Sequence, residues 1–200
     1  MIQELLNALF QLAVFSAIPF LWWLIGHRKK AGFFAWIGLK RAKGDWRVLV
    51  GVMAAFFGIC VAMQLWIVPL LLPPGTSVQQ QYAGQGAGAL VSILIFGMIQ
   101  TGLSEEILFR GFLLKRLSAR FGTARATLIQ AAVFGTLHGV GFFIMTTPPK
   151  ALVIFFLTGF CGWMLGYLNE KKFGGSILPS YLCHGVGNVL ISALSAFSLL

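Results

Sequence analysis

Acidic side chains are scarce in this chain: only five of its 200 residues are Asp or Glu. Charged residues of both signs make up 10%, whereas soluble domains usually have about a quarter. Hydrophobic residues make up 58%, and the mean hydropathy is +0.86. So few charges cannot keep so much apolar surface in water, and this excludes an ordinary soluble domain. The composition predicts a membrane protein, and the length suits a single domain over residues 1–200.

Cysteine is also scarce. The three cysteines, Cys60, Cys161 and Cys183, all lie within apolar stretches. Their odd number and their positions exclude a framework of disulfides. We interpret them as small buried apolar side chains.

The positive charge of the chain indicates which partner it contacts. The formal net charge is +10, which in a soluble chain would point to nucleic acid. Here the Lys and Arg residues form short runs between apolar stretches, as they do in the cytoplasmic loops of membrane proteins. We therefore predict contacts with membrane lipid, including anionic headgroups, and no binding of nucleic acid. The sequence makes no prediction of the oligomeric state.

Apolar stretches of about 20 residues, the length of a spanning helix, recur along the chain. We predict six of them, at residues 4–25, 47–72, 87–113, 124–146, 150–169 and 177–199. Between the first two, the aromatic residues of 33–39 stand among cations, which predicts a segment lying at the membrane interface. The predicted fold class is all-α, a polytopic transmembrane helical bundle of about six spanning helices plus this interfacial segment.

The cations also predict the topology. Fourteen of the fifteen Lys and Arg residues fall in or next to the first, third and fifth connections, and only Lys150 falls on the other side. Cytoplasmic loops retain positive charge. We therefore predict a multi-pass protein of the cell membrane with both termini outside.

Two of the five acidic residues are adjacent, Glu105 and Glu106, at the end of the third apolar stretch. A carboxylate at the centre of a membrane helix costs about 2.5–3.5 kcal/mol even on the lenient scale, so such groups are functional candidates. Glu106 and Arg110 are four residues apart and share a helix face, which predicts a supporting ion pair. Glu105 points about 100° away and has no such partner, so we predict that it transfers protons.

Three further polar residues lie in apolar helices: His138, and the pair His184 and Asn188. His184 and Asn188 are four residues apart and face the same way, as donors for an oxyanion would. Counted from the cationic ends, Glu105, His184 and His138 lie about 15, 12 and 20 Å deep. They could meet in the inner half of the bilayer, where a carboxylate and an imidazole activate water for hydrolysis.

The same residues leave a metal alternative open. Two His and one Glu form a known catalytic zinc set, here Glu105, His138 and His184. Their spacing is not the compact H-E-x-x-H arrangement, so we rank zinc second. The sequence requires no cofactor.

The three motifs, Glu105-Glu106-x-x-x-Arg110, Phe134-x-x-x-His138 and His184-x-x-x-Asn188, resemble those of the CPBP intramembrane proteases. This family includes the type II CAAX prenyl endopeptidases and the Abi immunity proteins. The resemblance covers roughly residues 100–190, within a motif-bearing core of roughly 87–200. It implies peptide-bond hydrolysis inside the bilayer, with Glu105 and His138 activating water and His184 with Asn188 binding the oxyanion. It also implies a substrate that is a peptide or a membrane-associated or prenylated (CAAX-type) protein.

Two other classes of function fit the same residues. A non-catalytic membrane protein could bind a partner or confer immunity, with the polar residues holding helices together. A proton or ion pathway could also use intramembrane Glu and His. Against the pathway, the sequence offers no further polar residues that lead to the outer face.

Overall fold

The structure is a computed structural model that describes residues 2–73 and 75–200. The described residues contain helices and no β-strand. In chain order, the helices are α1 (Ile2–Gly26), α2 (Phe33–Trp36), α3 (Trp46–Leu71), α4 (Gly86–Phe121), α5 (Thr123–Phe143), α6 (Pro148–Lys172) and α7 (Leu178–Ala196). A short 3₁₀ turn, Val78–Tyr82, lies between α3 and α4.

The predicted all-α membrane bundle is confirmed. Among the described residues, five helices are long and apolar enough to cross a membrane: α1, α3, α4, α5 and α6. The sixth predicted span forms α7, which does not reach that level of hydropathy because polar residues occupy its buried face, among them Ser180, His184 and Ser192. This helix packs against α3, α4 and α6. Its polar residues therefore face protein.

Helix α4 is the longest, and two π-helical stretches interrupt it. They cover Ile95–Leu103 and Glu106–Leu114, so that only Ser104 and Glu105 keep the α register between them. Such widened turns are rare and often occur at functional sites. The acidic pair therefore lies at the junction of two widened stretches.

Close packing brings α5 against α6. A Cβ atom on Gly135 would come within 2.4 Å of the carbonyl oxygen of Phe155, so only glycine lets the backbones approach this closely. The turn from α4 into α5 also needs glycine, because Gly122 has a φ of +75°. These contacts hold α5, which carries His138, beside α6.

The predicted interfacial segment forms the short helix α2, which docks on the bundle with one face. Trp36 and Ile37 are buried, whereas Phe34 is exposed. The guanidinium of Arg116 lies 3.9 Å from the centre of the Trp36 ring. The amide of Ile177 donates to the carbonyl oxygen of Gly38 at 2.9 Å, which ties the segment to the start of α7.

Candidate active site

The buried pair Glu106–Arg110 forms the base of the site. Arg110 Nη1 lies 2.9 Å from Glu106 Oε1, and neither side chain is exposed. The guanidinium also lies 4.6 Å from the centre of the Phe134 ring, and its Nη2 donates to the carbonyl oxygen of Gly162 at 3.4 Å. The pair therefore joins α4 to α5 and α6, as a supporting role requires.

Glu106 has a second neighbour that spacing along one helix could not reveal. His184 Nδ1 lies 3.2 Å from Glu106 Oε1, and the Ser180 hydroxyl donates to Oε2 of the same carboxylate. A carboxylate only accepts hydrogen bonds, so Nδ1 is the donor. Both contacts come from α7, so Glu106 also orients His184.

Glu105 faces the other edge of the same imidazole. Its Oε2 lies 3.8 Å from His184 Nε2, and the Glu105 side chain is 13% exposed. The Oε2 atom itself is buried and has no hydrogen-bond partner among the residues that the structure describes. A buried carboxylate oxygen without a partner has the capacity to bind a water molecule or a donor from a substrate.

His138 points one nitrogen to its own helix. Its Nδ1 lies 2.9 Å from the carbonyl oxygen of Phe134, one turn earlier. A carbonyl oxygen only accepts, so Nδ1 carries the proton, and in the neutral ring Nε2 is left as an acceptor. The Phe134 ring packs on the imidazole with 4.4 Å between centroids. Backbone and aromatic contacts thus fix both the tautomer and the orientation of His138.

Asn188 is held by a residue that the sequence reasoning missed. Its Nδ2 donates to Thr101 Oγ1 at 2.8 Å, and the Thr101 hydroxyl donates to the carbonyl oxygen of Phe96 at 3.1 Å or of Gly97 at 3.3 Å. The second N–H of the amide is left to donate elsewhere. Thr101 lies four residues before Glu105, and that spacing on one helix face was the signal that could have identified it.

These residues share one cavity of about 280 Å³ between α3, α4, α5, α6 and α7. Its lining includes Thr101 and all four predicted catalytic residues, Glu105, His138, His184 and Asn188. The rest of the lining is mainly apolar and includes Phe56, Met63, Ile67, Phe142 and Leu157. Gln64, Ser77 and Gln79 also line it, towards the connection after α3. Polar residues of the cavity therefore continue towards that connection.

A second cavity, of about 410 Å³, meets the first at the site. Glu105 and His138 line both of them. The other lining residues of the second cavity come mainly from α1, α4 and α5, and include Phe15 and Phe109. Glu105 and His138 therefore stand between two cavities.

The alternative metal site would use Glu105, His138 and His184. Within residues 2–73 and 75–200, no group of three His, Cys, Asp or Glu side chains is arranged to hold a metal ion. Glu106 engages only Nδ1 of His184, and a metal-binding histidine often donates its other ring N–H to a carboxylate. The zinc alternative therefore stays a prediction.

Fold and site together define a polytopic membrane protein with a cluster of Glu, His and Asn side chains inside the bundle. A family model described as type II CAAX prenyl endopeptidase Rce1-like matches residues 87–190, just over half of the chain. The chain belongs to this family. The matched residues include all four candidate catalytic residues and the Glu106–Arg110 pair, whereas α1, α2 and α3 lie outside it. No curated protein and no solved structure matches the chain.

Proposed function

We propose that the protein is an intramembrane endopeptidase that cleaves a peptide bond in a prenylated CAAX-type protein or a related membrane-associated peptide. The observation that carries this proposal is the cavity shared by Glu105, His138, His184 and Asn188. The family supports the substrate class, because its description names prenyl endopeptidases. The mainly apolar lining of the cavity suits a lipid-modified chain.

The proposed chemistry begins with a water molecule between Glu105 and His138. The Glu105 carboxylate takes a proton from the water, while His138 Nε2 accepts the second hydrogen and orients the oxygen. The water oxygen then bonds to the carbonyl carbon of the scissile peptide. Glu105 passes its proton to the amide nitrogen as the C–N bond breaks, so the products are a carboxylic acid and an amine.

The developing oxyanion needs donors, and α7 supplies them. Asn188 has one amide N–H free of Thr101 and directed away from that contact. His184, when protonated, donates from Nδ1 to Glu106 and can donate from Nε2 into the cavity. Fixed donors of this kind stabilise a tetrahedral intermediate because they require no reorganisation during the reaction.

The proposal is tested with the purified protein in detergent and a farnesylated peptide that ends in a CAAX sequence and carries a fluorophore and a quencher. We expect cleavage at a single position near the prenylated cysteine. Replacing Asn188 by Leu should lower kcat by about 10²- to 10³-fold, as removal of one oxyanion donor does in other hydrolases. The measurement is kcat together with mass spectrometry of the products.

Thr101→Val is the companion variant, because it keeps the side-chain volume and removes the acceptor of Asn188. We expect a smaller loss than for Asn188→Leu and no further loss in the double variant, since Thr101 acts through Asn188. A parent protein that binds the peptide without cleaving it would instead support the non-catalytic binding class. An Asn188→Leu variant with the kcat of the parent would remove Asn188 from the mechanism.

We also propose that both termini face the outside and that the catalytic cluster lies in the cytoplasmic half of the bilayer. The proposal rests on the fourteen cations at the first, third and fifth connections. A single cysteine placed at Ser198 in a cysteine-free variant should react with a membrane-impermeant thiol reagent added to intact cells. A cysteine placed at Lys171 should react only after the cells are opened, and the reverse pattern would invert the topology.

A further inference from the structure

Gln11 is an unusual residue for its position. It lies in the middle of α1, a helix with mean hydropathy 1.9 of which only 11% is buried inside the bundle. A polar amide in such a helix is costly in lipid unless it finds partners. Gln11 is partly buried and faces α4.

Both ends of the Gln11 amide are engaged. Its Nε2 donates to the carbonyl oxygen of Gln100 at 2.8 Å and to Ser104 Oγ at 3.2 Å. Its Oε1 accepts from Gln100 Nε2 at 3.4 Å. The Ser104 hydroxyl in turn donates to the carbonyl oxygen of Gln100. One side chain from α1 thus binds two successive turns of α4.

These contacts fall where α4 is widened. Gln100 lies within the π-helical stretch Ile95–Leu103, and the amide of Ser104 donates to the carbonyl oxygen of Ile99, five residues earlier. If this stretch returned to the α register, the helix beyond it would shift by one residue, which is about 100° of rotation. Glu105 is the next residue after Ser104, so its direction depends on the register of this stretch.

A second residue of α1 reaches the same site. Phe15 lies one turn after Gln11 and lines the cavity that Glu105 and His138 also line. Its ring packs edge to face on Phe109, with 6.5 Å between centroids and 82° between planes. One face of α1 therefore contacts the site at two levels, although α1 lies outside the residues that match the family.

We propose that Gln11 is a positioning residue of the hydrolytic site. By holding the carbonyl oxygen of Gln100 and the hydroxyl of Ser104, it keeps the π-helical register that directs Glu105 into the cavity beside His138. The inference rests on the proposed function, because it assigns Gln11 to the machinery of that reaction. It extends the site beyond the matched region into the first helix.

The test begins with Gln11→Met, which keeps the length of the side chain and removes its amide. We expect kcat on the farnesylated fluorogenic peptide to fall about 10- to 100-fold, as displacement of a reacting group does. KM should stay close to that of the parent, because Gln11 itself lines neither cavity. The matched control is Gln3→Met in the same helix, where Gln3 is exposed and donates to Asn7, and its kcat should equal that of the parent.

Two further measurements isolate the role of Gln11. Ser104→Ala removes a second side chain of the cluster, and the losses in kcat of Gln11→Met and Ser104→Ala should be clearly non-additive in the double variant. Amide hydrogen exchange of peptides covering residues 96–109 should be faster in Gln11→Met than in the parent, with no substrate present.

The outcomes separate this inference from the proposed function. A parental kcat in Gln11→Met, unchanged exchange, or fully additive losses would overturn the positioning role even if Glu105→Gln is inactive. If Glu105→Gln is as active as the parent, the assignment of Glu105 as the base fails, and if the parent binds the peptide without cleaving it, the proposed function fails. In both cases the exchange measurement still decides whether Gln11 holds the widened turn.

Discussion

Glu105→Gln should abolish cleavage while leaving the protein folded. Glutamine fills the same space and can still form hydrogen bonds, but it cannot take a proton from water. General-base catalysis contributes about 10²- to 10⁴-fold, so kcat should fall by that factor. Because Glu105 has no ion-pair partner closer than the 3.8 Å to His184, its neutralisation should cost little stability. The measurement is kcat on the farnesylated peptide, with the thermal midpoint recorded in the same detergent.

The matched control is Glu170→Gln. Glu170 is an acid of similar exposure that pairs with Lys115 at 2.6 Å, close to the cationic end of the bundle, and it does not line either cavity. We expect Glu170→Gln to keep the kcat of the parent. The assignment of Glu105 as the base fails if Glu105→Gln cleaves as fast as this control.

The fold class could be predicted well from composition, and the reason is physical. A bilayer accepts only helices or closed barrels, so apolar stretches of suitable length predict helices and their number. The predicted ends of the helices were less accurate, because a helix can continue beyond its apolar part. Helix α4 runs to Phe121, whereas the predicted span ended at residue 113. The polar face of α7 lowered its mean hydropathy, since a helix face that packs against protein need not be apolar.

Within the site, the predictions that used spacing along one helix identified local pairs. The approach of Glu106 to Arg110 follows from i,i+4 geometry, and the structure places them in contact. The contact between Glu106 and His184 could not be predicted in this way, since 78 residues separate them in sequence. Depth in the bilayer placed the two histidines at comparable levels, but it contains no information on which helices are neighbours.

The π-helical stretches of α4 were also beyond the sequence reasoning. The first of them contains Gln100, whose carbonyl oxygen accepts from Gln11 of another helix. A glutamine in an apolar helix was visible in the sequence as a residue that needs a partner. Its partner Gln100, 89 residues away, could not be identified from the sequence.

Arg110→Met should destabilise the protein more than any change at the cavity surface. The substitution leaves the Glu106 carboxylate fully buried without its cation, and only Ser180 and His184 remain to bind it. Breaking a buried ion pair by removing one partner costs about 3–5 kcal/mol, because the remaining charge is uncompensated. The free energy of unfolding, measured by circular dichroism in detergent with increasing denaturant, should fall by this amount.

The same helix provides the control and the decisive double variant. Arg120 is exposed near the end of α4, so Arg120→Met should change the stability by less than about 0.5 kcal/mol. Adding Glu106→Gln to Arg110→Met removes the second charge, and we expect the double variant to regain part of the lost stability. Its activity should stay low, because the imidazole of His184 no longer faces a carboxylate at Nδ1 and loses the contact that orients it. A single Arg110→Met variant as stable as Arg120→Met would show that the pair does not hold α4 against its neighbours.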